Sequence, residues 1–247
     1  QQNAAQTLKC QELGTSAHGL GGRVADALAA GSKKFRTTSF SFDSQIWPKG
    51  AHTSREIINE KGSKGFTDYE QWMEAIGNIT AQRHGNVYSE AYADAFLDSV
   101  ELTQNLGHVF DSAKLLTKYP ESNGLERKLA QVAKLIAARE GRQAERDFFF
   151  ISIGGWDMHR DMKADLDSSF QVVDDALRGF VAEMQAQKVW DSVVLATESE
   201  FGRTLDSNGG GSDHAWAGQH FVISGGLKGK RVFNKFPKTL KAGNERD

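Results

Sequence analysis

The chain of 247 residues has a single cysteine and only three prolines. Cys10 alone cannot close an internal disulfide, and the lack of cysteine clusters excludes zinc fingers and iron–sulfur sites. Any metal must therefore be held by oxygen and imidazole nitrogen. No apolar run approaches the roughly 20 residues of a membrane-crossing helix. An excess of one charge is also missing: 30 Lys and Arg stand against 32 Asp and Glu, a formal net charge of −2. No strong positive field gathers a polyanion, so nucleic acid is not an expected partner. The first residues, Gln1, Gln2 and Asn3, contain neither an initiator methionine nor the basic and apolar regions of a signal peptide. The expectation is a processed product or piece of a longer protein, forming a single α/β domain over residues 1–247. A Gly-x-Ser-x-Gly elbow, a P-loop and a dinucleotide fingerprint are all absent, which leaves serine-hydrolase, P-loop and Rossmann cofactor readings without support.

What is present is a globular composition, 39% hydrophobic and 25% charged, with enough apolar side chains for a sizeable core. Pro48, Pro120 and Pro237 punctuate the chain. Residues 19–30 read as a short helix and 37–42 as a strand, while 48–71, rich in glycine, lysine and polar residues, reads as loop. Between residues 89 and 120, Tyr92, Phe96, Val100, Leu106, Val109 and Phe110 recur at near-helical spacing and predict one stripe buried against a core. A further helix starts at Leu125, with Leu129, Val132, Leu135 and Ile136 on one face and Gly141 as its stop. The triplet Asn78-Ile79-Thr80 fits the glycosylation acceptor pattern, one that chance often produces.

Residues 148–153 form a short apolar run closed by Gly154-Gly155, the pattern of a strand buried on both faces. Leu166, Phe170, Val173, Leu177, Phe180, Val181 and Met184 then trace one face of a long helix, and residues 192–197 give another buried strand. The expectation is a βαβ unit whose two parallel strands open onto the same sheet edge, where ligands of open α/β folds bind. Residues 220–224 are expected to add one more strand.

Chemistry-bearing residues cluster just past these strands. Gly155-Trp156-Asp157-Met158-His159 offers a carboxylate and an imidazole two residues apart. Glu198-Ser199-Glu200-Phe201-Gly202-Arg203 adds carboxylates and a guanidinium, and Arg203 reads either as a salt-bridge partner of Glu200 or Asp206 or as an anion clamp. A glycine-rich turn, Asn208-Gly209-Gly210-Gly211, leads into Ser212-Asp213-His214. Carboxylate and imidazole suit zinc, manganese or magnesium, so Asp157, His159, Asp213 and His214, with Glu200 behind them, are the candidate ligands. His220, six residues after His214, is either a core histidine or a further ligand. Trp156 and Trp216 wall the site or pack the core. His18, His52, His84 and His108 have no ligand-type neighbours in a recognisable arrangement and read as surface or helix residues.

The ordered motifs at 154–159, 199–203, 211–216 and 225–230, with Val189-Trp190-Asp191 before the second strand, resemble the DUF1501 family over residues 125–237. Similarity is weaker back through residues 19–50. That family is grouped with the alkaline phosphatase and sulfatase superfamily. The resemblance implies a mostly parallel sheet flanked by helices, alkaline-phosphatase-like, here lacking its opening strand. It also implies a metal-dependent hydrolase of phosphate or sulfate esters, with zinc or manganese favoured and magnesium or calcium possible as cofactor. Asp157 with His159, and Asp213 with His214, resemble its ligand pairs. Export to a periplasmic or extracellular location is implied in the same way. The early segment that brings a ligand and a nucleophile in active relatives has no counterpart here, and Cys10 has no Cys-x-Pro-x-Arg context. A missing segment or partner chain completing the fold is therefore an expectation. So is the rival reading, a non-catalytic structural or binding protein on the same scaffold.

Overall fold

Arg36–Ser41, a run of small hydroxyl residues around Phe40, forms strand β1, which is hydrogen-bonded along both edges. Its neighbours are Ser54–Ile57 (β2) and Ala144–Phe150 (β3), both parallel to it, with Ser41 opposite Ile57 on one side and Phe150 on the other. The computed structural model describes residues 18–29, 36–43, 47–62, 68–83, 85–215 and 218–235. Within them lie five helices: Leu20–Ala29 (α1), Tyr69–Thr80 (α2), Val87–Ser112 (α3), Gly124–Ala137 (α4) and Met162–Ala186 (α5). Two short antiparallel ladders follow, Leu195–Ala196 (β4) with Val222–Ile223 (β7), and Gly202–Arg203 (β5) with His214–Ala215 (β6).

Side chains alternate across a strand, so β1 presents Phe40 to one face and Ser39 and Ser41 to the other. On the apolar face Phe40, Phe42 and Ile58 pack against Leu106 and Phe110 of α3, Leu129, Val132 and Leu135 of α4, and Ala176, Phe180 and Met184 of α5. Phe40 and Phe149 stack across neighbouring strands at 5.2 Å. The small-residue face is covered by α1, and there the Trp47 ring stacks on Phe150 at 5.1 Å. The helix comes close enough that the Gly22 amide donates to the Trp47 carbonyl (3.1 Å). A Cβ at Gly22 would stand 2.1 Å from the Lys49 backbone.

Local chemistry sets the helix ends. Asn123 and Glu126 form a reciprocal capping box at the start of α4, and the Asn86 side chain caps α3 by accepting from the Tyr88 amide at 2.9 Å. Glu183, buried on α5, accepts from the backbone amides of Leu116 (3.0 Å) and Thr117 (2.8 Å), the Thr117 hydroxyl (2.6 Å) and the Gln187 side-chain Nε2 (2.8 Å). Burial would raise its carboxyl; these hydrogen bonds, the Thr117 hydroxyl foremost, outweigh it and hold the group below its ordinary value. Arg142 and Asp147, both largely buried, form a bidentate pair at 2.8 and 2.9 Å, and the guanidinium lies over the Phe40 ring.

Several expectations are corrected. Residues 48–71 are not all loop: they contain β2 and the start of α2, whose polar sequences hide strand and helix because one lies at a sheet edge and the other on the surface. The helix expected from residue 89 buries Val100, Leu106 and Phe110, but its first half projects from the core, with Tyr92 75% exposed. β3 begins four residues earlier than its apolar run and is half-buried, since it is bonded on one edge alone among the described residues. The βαβ crossover is not formed: α5 is present, but β4 pairs with β7 and lies outside the β2–β1–β3 sheet. The run at 220–224 yields β7 in that small ladder and adds nothing to the parallel sheet.

Glu56 provides a pH test of this packing. It lies on β2 opposite Phe40, is 8% exposed, and its Oε1 has no hydrogen-bond partner among the described residues. Burial pushes its carboxyl up to about 7, against the pull of Arg142. The folded protein thus keeps a proton that the unfolded chain loses near pH 4.5. Stability from this group is full below that value and falls as pH rises towards 7, by roughly 3 kcal/mol at most. Glu56→Gln is expected to remove that slope, measured by urea unfolding at pH 5 and pH 8; the same slope in both proteins would show that Glu56 does not cause it.

Candidate metal centre

Two stretches of irregular backbone carry the candidate ligands. The first follows β3 through Gly155, which turns with φ of +90°, and reaches α5 at Met162. The second is the hairpin of β5 and β6, where Arg203 stands opposite His214 and the Thr204 amide donates to the Asp213 carbonyl at 2.9 Å. The loop between these strands closes on itself. Asn208 Oδ1 accepts from the amides of Gly210 and Gly211, and Ser207 Oγ accepts from the amide of Gly209. With those amides used internally, the glycine run is a built turn and not a phosphate cradle.

These stretches bring Asp157, His159 and His214 together, with one ligand atom from each lying within 4.8 Å of the others. Asp157 Oδ1 is the hub, 2.6 Å from His214 Nε2, 3.3 Å from His159 Nδ1 and 3.5 Å from Arg203 Nη2. The hydrogen bond from His214 holds the Asp157 carboxyl below its ordinary value, and the charges of His214, His159 and Arg203 add to it. Phe201 stacks on the His214 ring at 4.1 Å and 15°, fixing its plane, and Trp156 meets Phe170 of α5 edge-on at 5.2 Å. The Asp157 and His159 side chains are 55% and 45% exposed, so the group opens to solvent.

Glu200, Asp213 and His220 are not part of this group of ligand atoms. Glu200 is exposed in the turn before β5, where Ser199 Oγ donates to the Phe201 carbonyl. The Asp213 carboxylate accepts from Asn208 Nδ2 at 3.1 Å within the hairpin loop, and His220 is exposed ahead of β7. Arg203 makes no ion pair with Glu200 or Asp206 among its described contacts; its Nη1 and Nη2 donate to the backbone carbonyls of Ser212 and Trp156. Trp216 and His84 lie outside the described residues. Sequence reasoning gave no role to Phe201 and missed the hairpin. The signal was available: Arg203 and His214 each stand five residues from the central Asn208-Gly209 pair, the symmetry of a two-stranded turn.

The family profile described as "Protein of unknown function (DUF1501)" matches residues 35–246. No curated protein and no solved structure matches the chain.

Gly211 is where the two stretches touch: a Cβ there would stand 2.6 Å from the His159 carbonyl oxygen, whereas at Gly210 the nearest atom is 3.7 Å away. Gly211→Ala is therefore expected to destabilise the protein by about 1–3 kcal/mol through overpacking. Gly210→Ala should stay within about 0.5 kcal/mol of the parent. Urea unfolding decides this, and equal stabilities of the two variants would mean that the 159–160 backbone does not press on the hairpin.

Proposed function

Because the chain belongs to the DUF1501 family, whose description carries no activity, its function has to be read from its own residues, and we propose a metal-dependent hydrolase of phosphate or sulfate esters. Asp157, His159 and His214 are its metal ligands in this reading, and their convergence within 4.8 Å is the observation that carries it. One carboxylate and two imidazoles match the three-ligand sets of catalytic zinc sites, which keep a position open. Manganese accepts the same donors, while magnesium and calcium prefer more oxygen. The solvent-facing side of Asp157 and His159 leaves such a position accessible. A divalent cation held there supplies Lewis acidity to an ester oxygen and lowers the pKa of water. The protein's own part is to hold the ligands: Phe201 keeps the His214 ring in plane, and the hydrogen bond from His214 holds the Asp157 carboxyl below its ordinary value.

The substrate class, a small anionic ester, comes from the motif resemblance to phosphate and sulfate ester hydrolases. An alkaline-phosphatase-like architecture and export belong to the same proposal. A parallel sheet whose middle strand alone is buried on both faces suits part of a larger sheet, which a further segment or partner chain would extend along the outer edge of β3. A second reading has one observation in its favour: the direct 2.6 Å contact between His214 and Asp157 also serves as a metal-free tie between two loops in a non-catalytic binding protein.

Elemental analysis of the purified protein, beside the double variant Asp157→Ala/His214→Ala, separates the two. Near-stoichiometric zinc or manganese in the parent, lost in the variant, is the expected result, followed by turnover on a panel of phosphate and sulfate esters. No metal in either protein after addition of divalent ions would leave the loop tie as the role of the three residues.

A further inference from the structure

We infer that Arg203 is a positioning residue that sets the separation of Asp157 from His214, and so acts on a metal through its ligands. The inference rests on the metal-binding reading above and names the part of the chain that shapes that site.

A guanidinium is a planar fork with five N–H donors in fixed directions. In Arg203 the two terminal nitrogens point to two different segments. Nη1 donates to the carbonyl of Ser212, two residues before His214, and Nη2 donates at 2.8 Å to the carbonyl of Trp156, the residue before Asp157. Each tie is anchored beside a ligand, and the rigid fork converts two independent loops into one frame. The same Nη2 lies 3.5 Å from Asp157 Oδ1, close enough to orient the carboxylate without saturating it. Beneath, the guanidinium sits 5.0 Å over the Phe201 ring, whose plane also stacks on His214. Arg203 thus reaches His214 by two routes, through the Ser212 backbone and through the Phe201 ring.

Burial agrees with this role. The Arg203 side chain is 22% exposed, close to the 20% of His214, while Asp157 is 55% exposed, so the guanidinium lies at the inner side of the group beside His214 while Asp157 and His159 face solvent. An anion receptor would direct the terminal nitrogens outward; here both are directed at main-chain carbonyls. The side chain expected to clamp an anion is therefore assigned to shaping the ligand set. Lysine, a point charge on a flexible stem, lacks the planar fork that fixes the directions of both ties.

The test uses Co²⁺ alone as the probe, titrated into the metal-free chain, Arg203→Met and Arg203→Lys, with the visible absorption of bound cobalt reporting ligand geometry. The expected result is about 10- to 100-fold weaker binding in Arg203→Met, a changed cobalt spectrum, and an intermediate affinity in Arg203→Lys. The thermal midpoints of the metal-free proteins should stay within a few degrees of one another. Unchanged affinity and spectrum in Arg203→Met would overturn the inference, as would unchanged cobalt binding with loss of ester turnover alone, which would make Arg203 an anion receptor. If the parent binds no cobalt, the metal reading fails by itself, and hydrogen exchange of the metal-free proteins decides the positioning role. About tenfold faster exchange at residues 156–159 and 212–215 in Arg203→Met supports it, and unchanged exchange refutes it.

Discussion

Everything in this fold follows from β1 being bonded on both edges to parallel neighbours. Parallel strands cannot be joined by tight hairpins, so the chain must leave the sheet and return, and the returning segments cover its faces. The five residues Thr37, Thr38, Ser39, Phe40 and Ser41 are all buried, which commits one face to α1 and the other to α3, α4 and α5. The asymmetry of the two faces decides how each is covered. Small hydroxyl residues admit a glycine-bearing helix at close range, and the phenylalanines demand a thick layer of leucine, valine and aromatic side chains.

That burial takes polar groups inside with it; the Thr37 and Ser39 hydroxyls have no side-chain hydrogen-bond partner among the described residues, whereas two of the buried charged groups are met. Arg142 neutralises Asp147 with two parallel hydrogen bonds while lying over Phe40, and Glu183 gathers four donors from the loop ahead of α4 and from its own helix. Removing one partner of such a group costs more than the pair contributes, because the other is left desolvated. Glu56 is the contrasting case. It is buried on the edge strand with an unpartnered oxygen, and its raised pKa is the physical trace of that deficit.

The candidate centre is built differently from the core. Its candidate ligands ride on loop backbone and on a two-residue ladder, too short to be rigid alone. Rigidity comes from cross-ties: the self-closed turn at 207–211, the Thr204–Asp213 backbone bond, the contact of Gly211 with the His159 backbone, and the fork of Arg203. The β4–β7 ladder is steadied in the same manner, with the Gly225 amide bonded to the Trp190 carbonyl and Thr197 to Phe221. Such a site is open to solvent and held by few bonds, an arrangement suited to admitting a ligand.

Composition and periodicity determined a good deal without any structure. The apolar spacing through Leu129, Val132 and Leu135 places α4, that of Phe180 and Met184 places α5, and alternation at 37–42 places β1, because a buried stripe must repeat with the period of the backbone that presents it. The residue types at 157, 159 and 214 likewise marked them as candidate donors, since donor atoms are a property of the side chain. Only the tertiary structure decided which of seven candidate residues share a place. Asp213, next to His214, turns into its own hairpin loop, and Arg203 spends its terminal nitrogens on main-chain carbonyls, outcomes set by register and turn geometry. The β4 segment shows the same division: its apolar run was legible, but its partner depends on which strand edge reaches it, a long-range contact that no local pattern encodes.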